Sequence, residues 1–103
     1  MIARIWTAQA TPGNAPRYAR FFEGFATGDM TRMKGFKRAE LMQRREPGSK
    51  VVDITVITYW ESMDAIRSFA GKPIDRARVE PEARPLLSRS GRRVKHFEVQ
   101  VFE

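Results

Sequence analysis

VVDITVITYWESMDAIRSFAG, residues Val51 to Gly71, changes its hydrophobic period partway along, so that a strand gives way to a helix within a single stretch. Up to Trp60 the period is two: Val52, Ile54, Val56, Thr58 and Trp60 share one face, while Ile57 and Tyr59 lie on the other beside Asp53 and Thr55. Apolar residues on both faces are the pattern of a central strand. Ser62 then offers an N-cap, Asp64 places negative charge in the first helical turn, and Ile66, Phe69 and Ala70 form a buried stripe that Gly71 and Pro73 bring to an end.

Working outward from this stretch, Pro47, Gly48, Ser49 and Lys50 read as a hairpin turn that joins it to an earlier strand, GFKRAELMQRRE, beginning at Gly35. Upstream again, Tyr18, Phe21, Phe22 and Phe25 recur at i, i+3, i+4 and i+7, the spacing of a helix face, with Asn14 as its N-cap and Pro16 in its first turn. Whether that helix runs past Gly28 and Asp29 to take in Met30 and Met33 is open. Met1 to Ala10 alternates and stops at Thr11, Pro12 and Gly13, as a first strand does. Beyond Gly71, three prolines break the chain into irregular structure with helical turns, and Arg93 to Phe102 alternates as a last strand.

The order strand, helix, strand, strand, helix, strand is that of an α+β, ferredoxin-like βαββαβ fold, expected as one domain over residues 1–103 with a four-stranded antiparallel sheet. Both crossovers put their helices on the same side of the sheet. Ile54, Val56, Ile57, Tyr59, Trp60, Phe97, Val99 and Val101 are too many to sit beneath two helices, so a second copy packed sheet against sheet, a homodimer, is expected to cover the other side.

Composition narrows the classes of function. The chain has no cysteine, which removes disulfides, thiolate metal sites and a cysteine nucleophile, and its single histidine cannot build a zinc or non-haem iron site, so no metal is expected. The net charge of +7 is spread along the chain with acids interleaved and no basic block, as on a solvated surface. Lys34-Gly35-Phe36 begins like an RNA-recognition motif, but it falls on the second strand, and the third strand lacks that motif's glycine and paired aromatics; no nucleic-acid partner is expected. Without an apolar run near 18 residues or a leader-like start, the expected location is cytoplasmic, away from membranes.

Gly35-Phe36, Tyr59-Trp60-Glu61-Ser62, Ser68-Phe69-Ala70-Gly71, Ile74, Pro81-Glu82-Ala83 and Val94-Lys95-His96-Phe97-Glu98-Val99 together resemble the antibiotic biosynthesis monooxygenase domain, over nearly the whole chain. That resemblance implies a dimeric α+β barrel with a cavity between sheet and helices in each subunit. It also implies a family that includes cofactor-independent, quinone-forming oxygenases and haem-degrading oxygenases. The haem-degrading members resemble one another in an asparagine on the first strand, a tryptophan at the third-strand junction and an iron-ligating histidine after the second helix. Here Trp60 matches the tryptophan, but Trp6 stands at the asparagine position and Arg78 at the histidine position, and an arginine that stays protonated cannot ligate iron.

The resemblance therefore points to a cofactor-free monooxygenase acting on a small aromatic, phenolic or quinol-like ligand. Trp60 and Trp6 are its candidate cavity walls, with Tyr18 and Phe69 as further binding residues and Arg78 as anchor for a phenolate or for reduced oxygen. His96, the only side chain whose unperturbed pKa suits proton transfer near neutrality, is one candidate base; a tyrosine such as Tyr59 is another. A competing reading places His96 in a hydrogen bond at the dimer interface, and a competing class is a non-catalytic barrel that only binds a small ligand.

Overall fold

The computed structural model describes residues 1–103. Strand β1 (Ile2–Ala10) is followed by helix α1 (Ala15–Thr27), strands β2 (Phe36–Arg44) and β3 (Val52–Trp60), and helix α2 (Met63–Ala70). Two short strands, β4 (Arg89–Ser90) and β5 (Lys95–Glu98), end the order. The sheet is antiparallel in the order β2-β3-β1, with β4 and β5 both pairing along the free edge of β1, so that four strand positions are filled, as in the expected ferredoxin-like α+β arrangement. β3 is central, as its two-sided apolar pattern predicts.

The second helix starts where its cap residue says it should: the Ala65 N–H donates to Ser62 Oγ at 3.2 Å, and the helix ends at Gly71, whose positive φ of 71° suits glycine and whose N–H donates to the Arg67 carbonyl. Helix α1 starts differently from expectation. The Asn14 side chain makes no cap; instead Thr11 leads the turn, its carbonyl accepting from both Asn14 and Ala15 N–H and its hydroxyl accepting from Asn14 N–H at 3.2 Å. Asn14 is already in the helical region, and its side chain bonds to none of the orphan donors. The helix stops at Thr27, and a separate 3₁₀ turn, Met30–Arg32, tucks Met30 into the core.

The last strand is interrupted. Ser90 pairs with Ala8 and Lys95 with Ile5, so the four residues Gly91 to Val94 stand opposite only Trp6 and Thr7. The surplus lets this segment lift from β1 and bond to the chain that follows α2: Ala77 N–H donates to the Arg92 carbonyl at 2.8 Å and Val94 N–H to the Asp75 carbonyl at 2.8 Å. Beyond Glu98 the pairing stops apart from Val99 N–H to the Met1 carbonyl, so Val101 and Phe102 lie exposed and outside the strand expected for them.

Residues directly opposite in the register share a face. Ile2, Arg4, Trp6, Ala8 and Ala10 therefore join Trp60, Thr58, Val56, Ile54 and Val52 beneath the helices. One apolar cluster gathers Ala8, Ile54 and Val56 under Tyr18 and Phe22 of α1; a second gathers Met30, Trp60 and Ile66 at α2. Gly35 holds the entry to β2 against α2. It has φ 85°, its carbonyl accepts from Glu61 N–H at 2.7 Å, and a Cβ there would stand 2.5 Å from the Ala65 Cβ.

Candidate functional site

Between the two apolar clusters, lined by residues of α1, α2 and the sheet, lies a cavity of about 70 Å³. Its floor is Arg4 and Trp6 of β1 with Val56 and Thr58 of β3; aromatic rings of α1 and Phe69 of α2 form the walls, and Arg78 to Glu80 closes one side. The strand period dictates the floor, because only every second residue of β1 and β3 can reach it. The helix period dictates the walls: Tyr18, Phe21, Phe22 and Phe25 fall on one face of α1 and stack in series, Tyr18 on Phe22 at 6.3 Å and Phe21 on Phe25 at 6.2 Å.

Four of the residues proposed from sequence meet in this cavity: Trp6, Tyr18, Phe69 and Arg78. Trp6 is fixed at 6.3 Å from the Tyr18 ring, and its Nε1–H donates to the Gly91 carbonyl at 2.7 Å, so the lifted segment of the last strand holds the indole in place. Arg78 stands at the mouth with its side chain half exposed; it donates to the Phe69 carbonyl at 2.6 Å and lies 5.2 Å from the Phe69 ring centre.

Three residues lie elsewhere. Trp60 is fully buried behind Phe69, stacked on that ring at 5.2 Å and edge-on to Phe36 at 5.4 Å, with its Nε1–H donating to Thr58 Oγ1 at 2.8 Å. It supports a wall without lining the cavity, because Phe69 of α2 is interposed. Tyr59 belongs to the opposite face of the sheet. There its hydroxyl donates to Glu40 Oε1 at 2.8 Å beneath the Arg38 guanidinium, and that hydrogen bond and burial raise its pKa above the ordinary phenol value. Such a tyrosine faces away from any ligand in the cavity.

His96 sits on the helix-side face, paired in register with Arg4, and not on the open face where a dimer interface would engage it. Its Nε2 is 2.9 Å from Arg4 Nη1. A guanidinium has only donors, so Nε2 accepts and the imidazole is neutral with its proton on Nδ1. Burial first, then the Arg4 charge, depress the His96 pKa. The imidazole therefore braces Arg4 and does not itself line the cavity.

Two residues that the sequence reading left out belong to the site. Arg4, only 5% exposed, donates to the carbonyls of Ile74 at 2.8 Å and Arg76 at 3.0 Å, and burial pushes its pKa down to about 10. The signal was a charged residue sharing the strand face of Ile2, Trp6 and Ala8. Glu80 is the carboxylate in the lining, 3.5 Å from Arg78 Nε, and its only sequence signal is two-residue spacing from Arg78. Tyr18, almost wholly buried, is held in the neutral, proton-donating form because burial raises its pKa.

The family model described as antibiotic biosynthesis monooxygenase matches residues 1–81. A point mutant of MhuD with two manganese protoporphyrin IX molecules bound per active site is 23% identical with a TM-score of 0.68, covering 100% of this chain and 98% of that one. The haem-degrader MhuD from Mycobacterium tuberculosis with two haems bound is 23% identical, TM-score 0.64, covering 100% and 99%. A protein from Bacillus cereus described as a candidate antibiotic biosynthesis monooxygenase is 14% identical, TM-score 0.68, covering 99% and 93%. At these identities the likeness is one of fold. No curated protein matches the chain.

Proposed function

The chain belongs to the antibiotic biosynthesis monooxygenase family, and on that basis we propose that it is a cofactor-free monooxygenase acting on a small phenolic or quinol-like substrate. The observation that carries this reading is the aromatic cavity with one carboxylate and two guanidiniums in its lining. A phenol that has lost its proton can reduce dioxygen itself, so the protein needs to supply only a dry pocket, a base and an electrostatic anchor. Glu80 is the base that takes the phenolic proton. Arg78 anchors the phenolate and then the reduced oxygen, and Trp6, Tyr18 and Phe69 hold the ring. In the net reaction one oxygen atom bonds to a ring carbon to give the quinone, and the other leaves as water with the two hydrogens lost by the substrate.

Haem is bound in one of the similar structures and manganese protoporphyrin IX in another, so the fit of such a group to these residues matters. The fit is poor. Arg78 carries only N–H donors and no lone pair for iron, the His96 Nε2 is committed to Arg4, and no cluster of metal-ligating side chains is present. A cavity of about 70 Å³ is also well below the ~300 Å³ at which drug-sized clefts begin. A ligand no larger than a single ring is the most it takes, with part of that ring in the open mouth at Arg78.

The homodimer belongs to the same reading: Met42 and Phe97, each about half exposed, lie with Ile5 and Ile57 on the face of the sheet that no helix covers. Light scattering at micromolar concentration is expected to give twice the 11.9 kDa chain mass. The activity is tested by following oxygen uptake with single-ring hydroquinones. Glu80→Gln and Arg78→Met are each expected to lower kcat by about 10²-fold or more, and unchanged turnover in both would remove the assignment. No helix is long and apolar enough to cross a membrane.

A further inference from the structure

We propose that the cavity selects ligands that carry a negative charge, a phenolate or an aromatic carboxylate, and that Arg4 is the residue that selects them. The inference rests on the cavity being the ligand site and narrows its substrate class.

Charged side chains are almost never fully buried unless paired. Arg4, 5% exposed, is surrounded by neutral acceptors: the carbonyls of Ile74 and Arg76 and the imidazole of His96. No carboxylate lies within ion-pair distance of it. The acids nearby are taken: Asp75 Oδ2 accepts from Arg93 at 3.1 Å, and Glu80 pairs with Arg78. Both guanidiniums stand over the Phe69 ring, Arg4 at 5.8 Å and Arg78 at 5.2 Å from its centre, so they share one microenvironment. Two positive charges against one carboxylate leave the lining with an excess charge of one.

The donors are also in place. Of the five N–H bonds of a guanidinium, three of Arg4 are used within the protein. Nε is not among the donors so used, yet no side-chain nitrogen or oxygen is both sealed off and unpartnered. Arg4 Nε is therefore not sealed off, and the side chain that carries it lines the cavity. The same reasoning applies to the Tyr18 hydroxyl, which makes no hydrogen bond within the protein and remains a donor. An anionic group in the cavity would receive a charge-assisted hydrogen bond from a guanidinium of the lining and cancel the excess charge. A neutral ring would leave that charge unmatched in an apolar cavity.

The probe is 4-nitrophenol, whose ionisation is visible by absorbance, with 4-nitroanisole as its permanently neutral counterpart. With saturating protein the pKa of bound 4-nitrophenol is expected to fall by about one unit, which corresponds to roughly tenfold tighter binding of the phenolate than of the phenol. 4-Nitroanisole is expected to bind at least about tenfold more weakly than the phenolate. Arg4→Met should abolish the pKa shift. Because Arg4 also braces the chain after α2, Glu80→Gln provides a second test in a partly exposed residue: it should raise the preference for phenolate over 4-nitroanisole about threefold. If phenol and phenolate bind equally and 4-nitroanisole matches them, anion selection is refuted while the aromatic cavity stands. If none of the probes binds, the cavity is not the ligand site and both readings fall.

Discussion

The two faces of the sheet are built from the same strands and have met different fates. On β3, Ile54 and Trp60 are sealed beneath the helices, while Ile57 and Tyr59, between them in sequence, are only half-buried on the other side. The helix side adds a water-excluding layer of aromatic rings and, in its middle, a buried cation. The open side offsets its apolar residues with exposed polar contacts, Gln9 to Asp53 at 2.9 Å and Arg38 to Glu40 at 2.7 Å. A strand's alternation thus separates two sets of residues without saying what will cover each set. Cover is a property of the whole chain, or of two chains.

Truncating an aromatic on each face probes this contrast most directly. Trp60→Ala, at a fully buried position between Phe36 and Phe69, is expected to cost about 3–5 kcal/mol, read from urea unfolding. The equivalent Phe97→Ala should cost the isolated subunit under about 1 kcal/mol and instead weaken assembly, seen as a lower mass by light scattering. Comparable losses at both sites would mean that the two faces are equally part of one subunit's core.

Gly35→Ala forces a side chain into positive φ and against Ala65, so a loss of about 1–3 kcal/mol is expected, checked by the same unfolding curves. Ser62→Ala removes the acceptor for Ala65 N–H and should cost about 1 kcal/mol. The smallest effect is at His96, whose surroundings include the Arg4 cation and the Asp75 carboxylate. Its folded pKa lies below the unfolded value of about 6.5, so the folded chain binds fewer protons than the unfolded chain in that range. Its contribution is therefore complete above about pH 6.5 and declines as pH falls toward the lowered folded value. His96→Gln, which keeps an acceptor for Arg4, should flatten that decline, as measured by unfolding midpoints on either side of about pH 6.

Much of the fold was legible from local pattern. The change of period at Trp60 placed β3 and α2, Ser62 and Gly71 marked the helix ends, and the aromatic spacing of Tyr18 to Phe25 gave α1 and its inward face. Asn14 misled because a residue suited to capping was already inside the helix, with Thr11 doing the work three positions earlier. The last strand misled because the alternation from Arg93 to Phe102 begins in a segment bonded to Asp75 and runs on past Glu98, where only Val99 N–H still finds a partner, the Met1 carbonyl.

By itself the sequence determined the order of elements, the face to which each strand residue belongs and the family, since these depend on propensities and spacings within a few neighbouring residues. Only the tertiary structure decided that Trp6 lines a cavity while Trp60 stands behind one, that Tyr59 faces away, and that Arg4 meets His96 from 92 positions along the chain. Such meetings are set by how helices settle on a sheet and by where an edge strand lifts away, and no short-range pattern encodes either.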